Sequence, residues 1–168
     1  MLTYFLCNFA KSVKVPVARN LINSKSLSRK KRNRLLAKSG VSFRGESTVT
    51  TPFFYEFGHI SIGHNVYINA GCVFLDNAAI KIGDNSLIGP NVTLSTASHP
   101  CDPVQRNTTV ISAPITLGRN VWLGAGVVVL PGVTIGENSI IAANSVVNVN
   151  VPENVLYAGA PAIFKRHL

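Results

Sequence analysis

The chain has 168 residues, one domain's worth, with 46% hydrophobic and 14% charged residues, a balance that excludes a disordered chain. No apolar run approaches the roughly 20 residues that cross a bilayer as a helix, so a membrane-spanning helix is not expected. The net charge of +9 is unevenly placed: residues 1–44 hold 11 of the 16 Lys and Arg and no acid, whereas residues 45–168 hold the other 5 and all 7 acids, a balance of −2. A basic arm is joined to a nearly neutral body, and each needs its own explanation.

In the arm, Leu2, Phe5, Leu6, Phe9 and Val13 recur at three- and four-residue steps, the stripe of a short amphipathic helix. Pro16 is expected to end or kink it. A second helix is predicted from about Ser26 to Lys38, carrying Arg29-Lys30-Lys31-Arg32 and Arg34, with Gly40 placed to stop it. Two readings stay open for residues 1–38. One is a helical cap whose apolar side packs on the body; the other is a basic amphipathic segment lying on an anionic membrane. Nucleic-acid binding is not expected, since no aromatic platform is interleaved with the charge. No Lys or Arg precedes the apolar start and no small-residue cleavage site follows it, so a signal peptide is not expected. Cys7, Cys72 and Cys101 are odd in number and widely spaced, forming neither a disulfide framework nor a CxxC knuckle. A reducing, cytoplasmic location is the default expectation.

The body is a repeat. Large apolar residues fall at six-residue steps in three runs: Ile62, Ile68, Phe74; Ile82, Ile88, Leu94; and Leu117, Leu123, Val129, Ile135, Ile141, Val147. Three places after each stand Asn65, Gly71, Asn77, Asn85, Asn91, Ala97, Asn120, Gly126, Gly132, Asn138, Asn144 and Asn150. Eleven of these twelve are Asn or Gly, types that account for only 29 of the 168 residues. Both tolerate a left-handed backbone, so each unit is predicted to be a short strand followed by a corner. Three such units close a triangular coil of 18 residues, with the large apolar column stacked inside.

The period breaks twice. Phe74 to Ile82 is eight residues, which bulges two extra residues out around Asp76–Ala79. Leu94 to Leu117 is 23, so 17 extra residues leave the coil as a loop over about 96–114. Insertions in a solenoid map to loops, often on the binding face. His99, in Thr96-Ala97-Ser98-His99-Pro100, sits where the chain leaves the rigid scaffold.

The repeat resembles the hexapeptide-repeat family, whose fold is an all-β solenoid, the left-handed parallel β-helix. Several further motifs resemble the sugar O-acetyltransferases acting on maltose, galactosides and nodulation factors. They are Pro52-Phe53 and Gly58-His59-Ile60-Ser61-Ile62-Gly63, Tyr67-Ile68-Asn69, Leu75-Asp76, and the Thr96–Pro100 run with Asp102-Pro103-Val104 and Arg106. Asn120-Val121-Trp122-Leu123-Gly124, Pro131-Gly132-Val133-Thr134-Ile135-Gly136 and Ala158-Gly159-Ala160-Pro161-Ala162 continue the match. The organisation expected is a helical arm (1–44), a β-helix (45–156) and a C-terminal tail (157–168).

The resemblance implies direct transfer from acetyl-CoA to a sugar hydroxyl, without a metal. His99 takes the place of the general base and Ala125 that of a backbone N–H for the oxyanion. Asn69, with Asp76 and Asn77 beside it, falls at the acceptor. Trp122, Gly124, Ala125 and Ala143 fall along the coenzyme channel, and Lys165 and Arg166 near its phosphates. Asp76, Glu56 and Asp102 are rival groups for orienting His99. The resemblance also implies a homotrimer with active sites between subunits and a small-molecule or glycan acceptor. Where the family carries Thr-Lys-Asp this chain has Asn148-Val149-Asn150, leaving the phosphates to Lys165, Arg166 or the arm. An arm without acids points away from maltose or galactoside and towards surface-polysaccharide or lipid-linked sugars.

Three alternatives accompany this reading. One is an antibiotic or amino-sugar acetyltransferase of the same fold. Another is a γ-type carbonic anhydrase holding metal with His59, His64 and His99, although that family's closely spaced pair follows the single His and here precedes it. The third is a non-catalytic scaffold subunit. Cys72 fills a small-residue slot of the coil, and nothing beside Cys101 marks it as a nucleophile.

Overall fold

A computed structural model describes residues 2–168; the side chain of Leu2, first in the predicted stripe, lies outside the described ones. The body is a left-handed parallel β-helix of three faces. The first stacks Ser42–Phe43, Ile60–Ile62, Ile80–Ile82, Ile115–Leu117 and Thr134–Ile135; the third stacks Phe53–Tyr55, Cys72–Leu75, Thr93–Ser95, Val128–Val129 and Val146–Val147. The second stacks Thr48–Val49, Tyr67–Ile68, Leu87–Ile88, Trp122–Leu123, Ile140–Ile141 and Val155–Ala158, with Ile163–His167 closing it antiparallel. The predicted column is the core: Ile62, Ile68, Phe74, Ile88, Leu94, Leu123, Val129, Ile135, Ile141 and Val147 are buried.

Nine predicted corners do adopt a positive φ: Asn65, Asn85, Asn91, Asn120, Asn138, Asn144, Gly71, Gly126 and Gly132. Asn77, Ala97 and Asn150 do not, and each stands where the coil is interrupted or ends. Corner amides also bond between coils, as in Asn120 Nδ2 to Asn138 Oδ1 (3.0 Å) and Asn138 Nδ2 to Asn154 Oδ1 (2.8 Å).

One coil precedes the residues where the period becomes visible. Phe43, Val49 and Tyr55 pair with Ile62, Ile68 and Phe74 in register. Among the described residues no coil stacks beyond this first one, and an exposed edge of backbone carbonyls is a liability. The arm covers it. Helix α1 spans Leu2–Phe9, α2 Val15–Ser24 and α3 Arg29–Lys38. From α2, Asn23 Nδ2 donates to the Phe53 carbonyl (3.0 Å) while its Oδ1 accepts from the Phe53 N–H (2.9 Å). Arg19 donates to the Tyr55 carbonyl (2.7 Å) and lies 4.3 Å over the Phe54 ring. From α3, Arg32 donates to the Val49 carbonyl and Asn33 to that of Ser47 (2.8 Å).

Pro16 therefore corrects one expectation. It stands in the first turn of α2 and opens that helix, because a missing N–H costs nothing where the helix has no acceptor for it. The chain has left α1 by Phe9.

Candidate active site

In each short strand, the residue before the buried column member faces outward. On the first face these are Ser61, Lys81, Thr116 and Thr134, polar as a solvated surface requires. On the second face they are Tyr67, Leu87, Trp122, Ile140 and Leu156, in direct register from coil to coil. A continuous apolar stripe results, with Trp122 50% exposed at its centre. A groove of about 680 Å³ follows this stripe, and Asn69, Gly124, Ala125, Ala143 and Arg166 also line it.

Two glycines set the groove's wall. A Cβ on Gly89 would lie 2.7 Å from the Ala125 nitrogen, and one on Gly124 would lie 2.5 Å from the Ala143 nitrogen. Only glycine lets successive coils approach this closely at the corner. The Ala125 N–H finds no acceptor among the described residues. Beneath the groove the buried Cys72 thiol donates to the Gly89 carbonyl (3.3 Å), and burial pushes its pKa up to about 11. It is a packing residue held in its neutral form. Arg166 pairs with Leu156, the last member of the apolar stripe, across the closing antiparallel strand, and so joins the groove's lining.

His99 stands on the long loop. Ala97–Ser98 and Ile111–Ser112 form an antiparallel ribbon at the loop's base. Thr96, fully buried, donates through its hydroxyl to the Leu75 carbonyl (2.7 Å) and accepts from the Ala78 N–H (2.9 Å). The loop is thereby tied to the two-residue bulge beside it. His99 Nδ1 lies 3.1 Å from the Thr109 carbonyl. A carbonyl only accepts, so Nδ1 carries the proton and Nε2 keeps its lone pair when the ring is neutral. No carboxylate bonds to His99 among the described residues. Asp102 instead accepts from the Val104 N–H (2.9 Å) within the loop.

Asp76 is fully buried, and its two oxygens accept from the N–H groups of Glu56, Phe57, Gly58 and His59 at 2.6–3.1 Å. This carboxylate pins the Glu56–His59 turn, where the first coil passes to the second. Asn77 lines a separate hollow of about 390 Å³ with His59, Ser61 and Lys81. His59 Nδ1 donates to the Asp76 carbonyl (3.0 Å), its ring stacked on Phe57. Among the described residues no three His, Cys, Asp or Glu side chains are grouped to hold a metal.

Within one chain, then, the groove gathers Asn69, Trp122, Gly124, Ala125, Ala143 and Arg166, while His99, Asp76, Asn77 and Lys165 lie outside its lining. Sequence reasoning missed Tyr67, Leu87 and Leu156. Their signal was present: of the outward positions, those of the second face are large and apolar in every coil from Tyr67 to Leu156.

A parallel coil with an apolar groove running across its rungs defines the class, the hexapeptide-repeat β-helices. A family model described as bacterial transferase hexapeptide (six repeats) matches residues 114–148. Nodulation protein L of Rhizobium meliloti is 44% identical over 131 residues, covering 76% of this chain and 72% of that protein. Galactoside O-acetyltransferase of Escherichia coli is 42% identical over 133 residues, covering 78% of this chain and 66% of that one. Among solved structures, a hexapeptide-repeat acetyltransferase of Vibrio cholerae complexed with acetyl coenzyme A superposes with a TM-score of 0.86 at 43% identity, over 90% of this chain and 83% of that one. The chain belongs to the hexapeptide-repeat acetyltransferase family. It spans about two thirds of the length of the galactoside enzyme.

Proposed function

We propose that this protein is an acetyl-CoA-dependent O-acetyltransferase acting on a sugar hydroxyl, with His99 as general base. The observation that carries the reading is the convergence of six residues, singled out by resemblance alone, on one groove. The apolar stripe suits the extended pantetheine arm, and Arg166, paired with its last member, suits phosphate. The Vibrio relative's complex with acetyl coenzyme A supports the same ligand.

His99 Nε2 takes the proton from the acceptor hydroxyl as its oxygen attacks the thioester carbonyl. The Ala125 N–H donates to the oxyanion of the tetrahedral intermediate. As the C–S bond breaks, the imidazolium returns its proton to the departing sulfur, so atoms and charge balance. No separate nucleophile is required, and Cys72 stays out of the chemistry.

His99 lies outside its own chain's groove, and this supports a homotrimer in which the loop of one subunit reaches the groove of the next. The acceptor we propose is a sugar of a surface polysaccharide or lipid-linked glycan. The absence of any acid in residues 1–44 supports it, because nothing in the arm can supply a carboxylate to a small free sugar. Residues 1–38 would then face a membrane. The test is a panel of free, nucleotide-linked and lipid-linked sugars assayed for release of the coenzyme thiol. Acceptor-dependent release is expected. Release that no sugar stimulates, or calorimetry showing no binding of acetyl-CoA, would overturn the reading.

A further inference from the structure

The edge-covering role accounts for α2 and α3 but leaves the outer side of α1 unexplained. Phe5, Leu6 and Phe9 are 59%, 60% and 72% exposed, and the two phenylalanine rings meet edge to face at 4.9 Å. Three large apolar side chains on two helical turns form a patch that a water-facing helix does not ordinarily carry. The opposite side of α1 is anchored. Cys7 is buried, and Lys38 Nζ donates to the Cys7 (3.1 Å) and Ala10 (2.8 Å) carbonyls at the helix's C-terminal end. The exposed patch is thus held in a fixed position by the folded arm.

The stretch of sequence that carries it is cationic. Lys11 and Lys14 follow the patch in sequence and are exposed, as are Pro16 and Val17 beyond them. The first acid along the sequence is Glu46, engaged by Arg29 at 2.7 Å. We infer that α1 and the segment to Lys14 dock on an anionic lipid surface, with Phe5, Leu6 and Phe9 entering the headgroup boundary and Lys11 and Lys14 meeting the lipid charge. Charge complementarity selects this occupant. A second copy docking through the same face would set an acid-free stretch with 11 cations against its like. A lipid leaflet satisfies the apolar and the basic part together.

A short helix with two flanking lysines is a weak, reversible anchor, so binding should depend on both lipid charge and salt. The full chain is sedimented with vesicles of phosphatidylcholine alone and with about one third phosphatidylglycerol, the anionic share that gives the surface its potential. Retention on the anionic vesicles is expected, with its loss on neutral ones and at high salt. Phe5→Ser/Leu6→Ser/Phe9→Ser and Lys11→Glu/Lys14→Glu should each weaken retention by about tenfold or more. Both should keep the wild-type melting temperature and acetyl-CoA affinity, because these side chains lie outside core and groove. Absent retention on anionic vesicles, or variants retained like wild type, would overturn the inference. So would a triple-serine variant that changes the oligomeric state without changing lipid binding, since the patch would then be a subunit contact. Vesicle retention is read without catalysis, so its failure leaves the proposed activity untouched.

Discussion

His99 is exposed, yet the Thr109 carbonyl leaves it no choice of tautomer. A base needs that combination, with a lone pair open to an acceptor and a ring that cannot turn its protonated nitrogen towards it. His99→Ala should lower kcat/KM by roughly 10²–10⁴, the usual worth of a positioned general base. Acetyl-CoA affinity and circular dichroism should stay as in wild type. A folded, coenzyme-binding His99→Ala protein keeping more than about a third of the activity would remove His99 from the mechanism. Cys72 makes the opposite case, since its thiol is pushed up to about 11 and buried. At neutral pH a thiol reagent should modify the exposed Cys101 quickly and Cys72 only on unfolding, as read by mass spectrometry. The raised pKa also has a sign. The folded state holds a proton that the unfolded thiol releases first, so stability should decline as pH climbs from the ordinary thiol range towards 11.

At the scale of elements, the arm is a lid on the coil's first edge. Asn23 mimics a strand neighbour by offering a donor and an acceptor to Phe53, and Arg32 serves the Val49 carbonyl. Asn23→Ala and Arg32→Ala should each destabilise by about 1–3 kcal/mol, because each strips partners from backbone groups at a covered edge. Thermal melts would show a drop of a few degrees, roughly 2–4 °C per kcal/mol at this size. The coil was legible wherever the Asn or Gly corner marked it. Over Phe43, Val49 and Tyr55 the period itself gave no signal, because Glu46 and Pro52 stand where the first two corners would be marked and a seven-residue step, across Gly58, leads from Tyr55 to Ile62. Helix α2 escaped for a related reason. Proline reads as a stop until its place in the first turn is known, and tertiary packing fixes that place. Asp76 was read as a site residue because it stands beside the bulge. Only the folded backbone reveals four amides converging on it.

For the whole molecule, the groove was half written in the sequence. Trp122 and Arg166 came from resemblance, while Tyr67, Leu87 and Leu156 follow from comparing the outward positions of the three faces. A site shared between subunits was expected from the resemblance, but that His99 lies outside its own chain's groove is seen only in the folded chain, since a loop's reach depends on where the next coil stands. Under the proposed function the reacting centre needs two subunits, one giving the groove and another the loop. Sedimentation equilibrium should show a trimer at micromolar concentration. The most direct test mixes two inactive proteins, His99→Ala and Ala143→Trp, the second blocking the groove at an exposed corner. Co-assembled in equal amounts, they place an intact loop against an intact groove at about a quarter of the interfaces, as random assembly in a closed ring dictates. About a quarter of wild-type acetyl transfer is therefore predicted, and mixed assemblies as inactive as either parent would contradict the account.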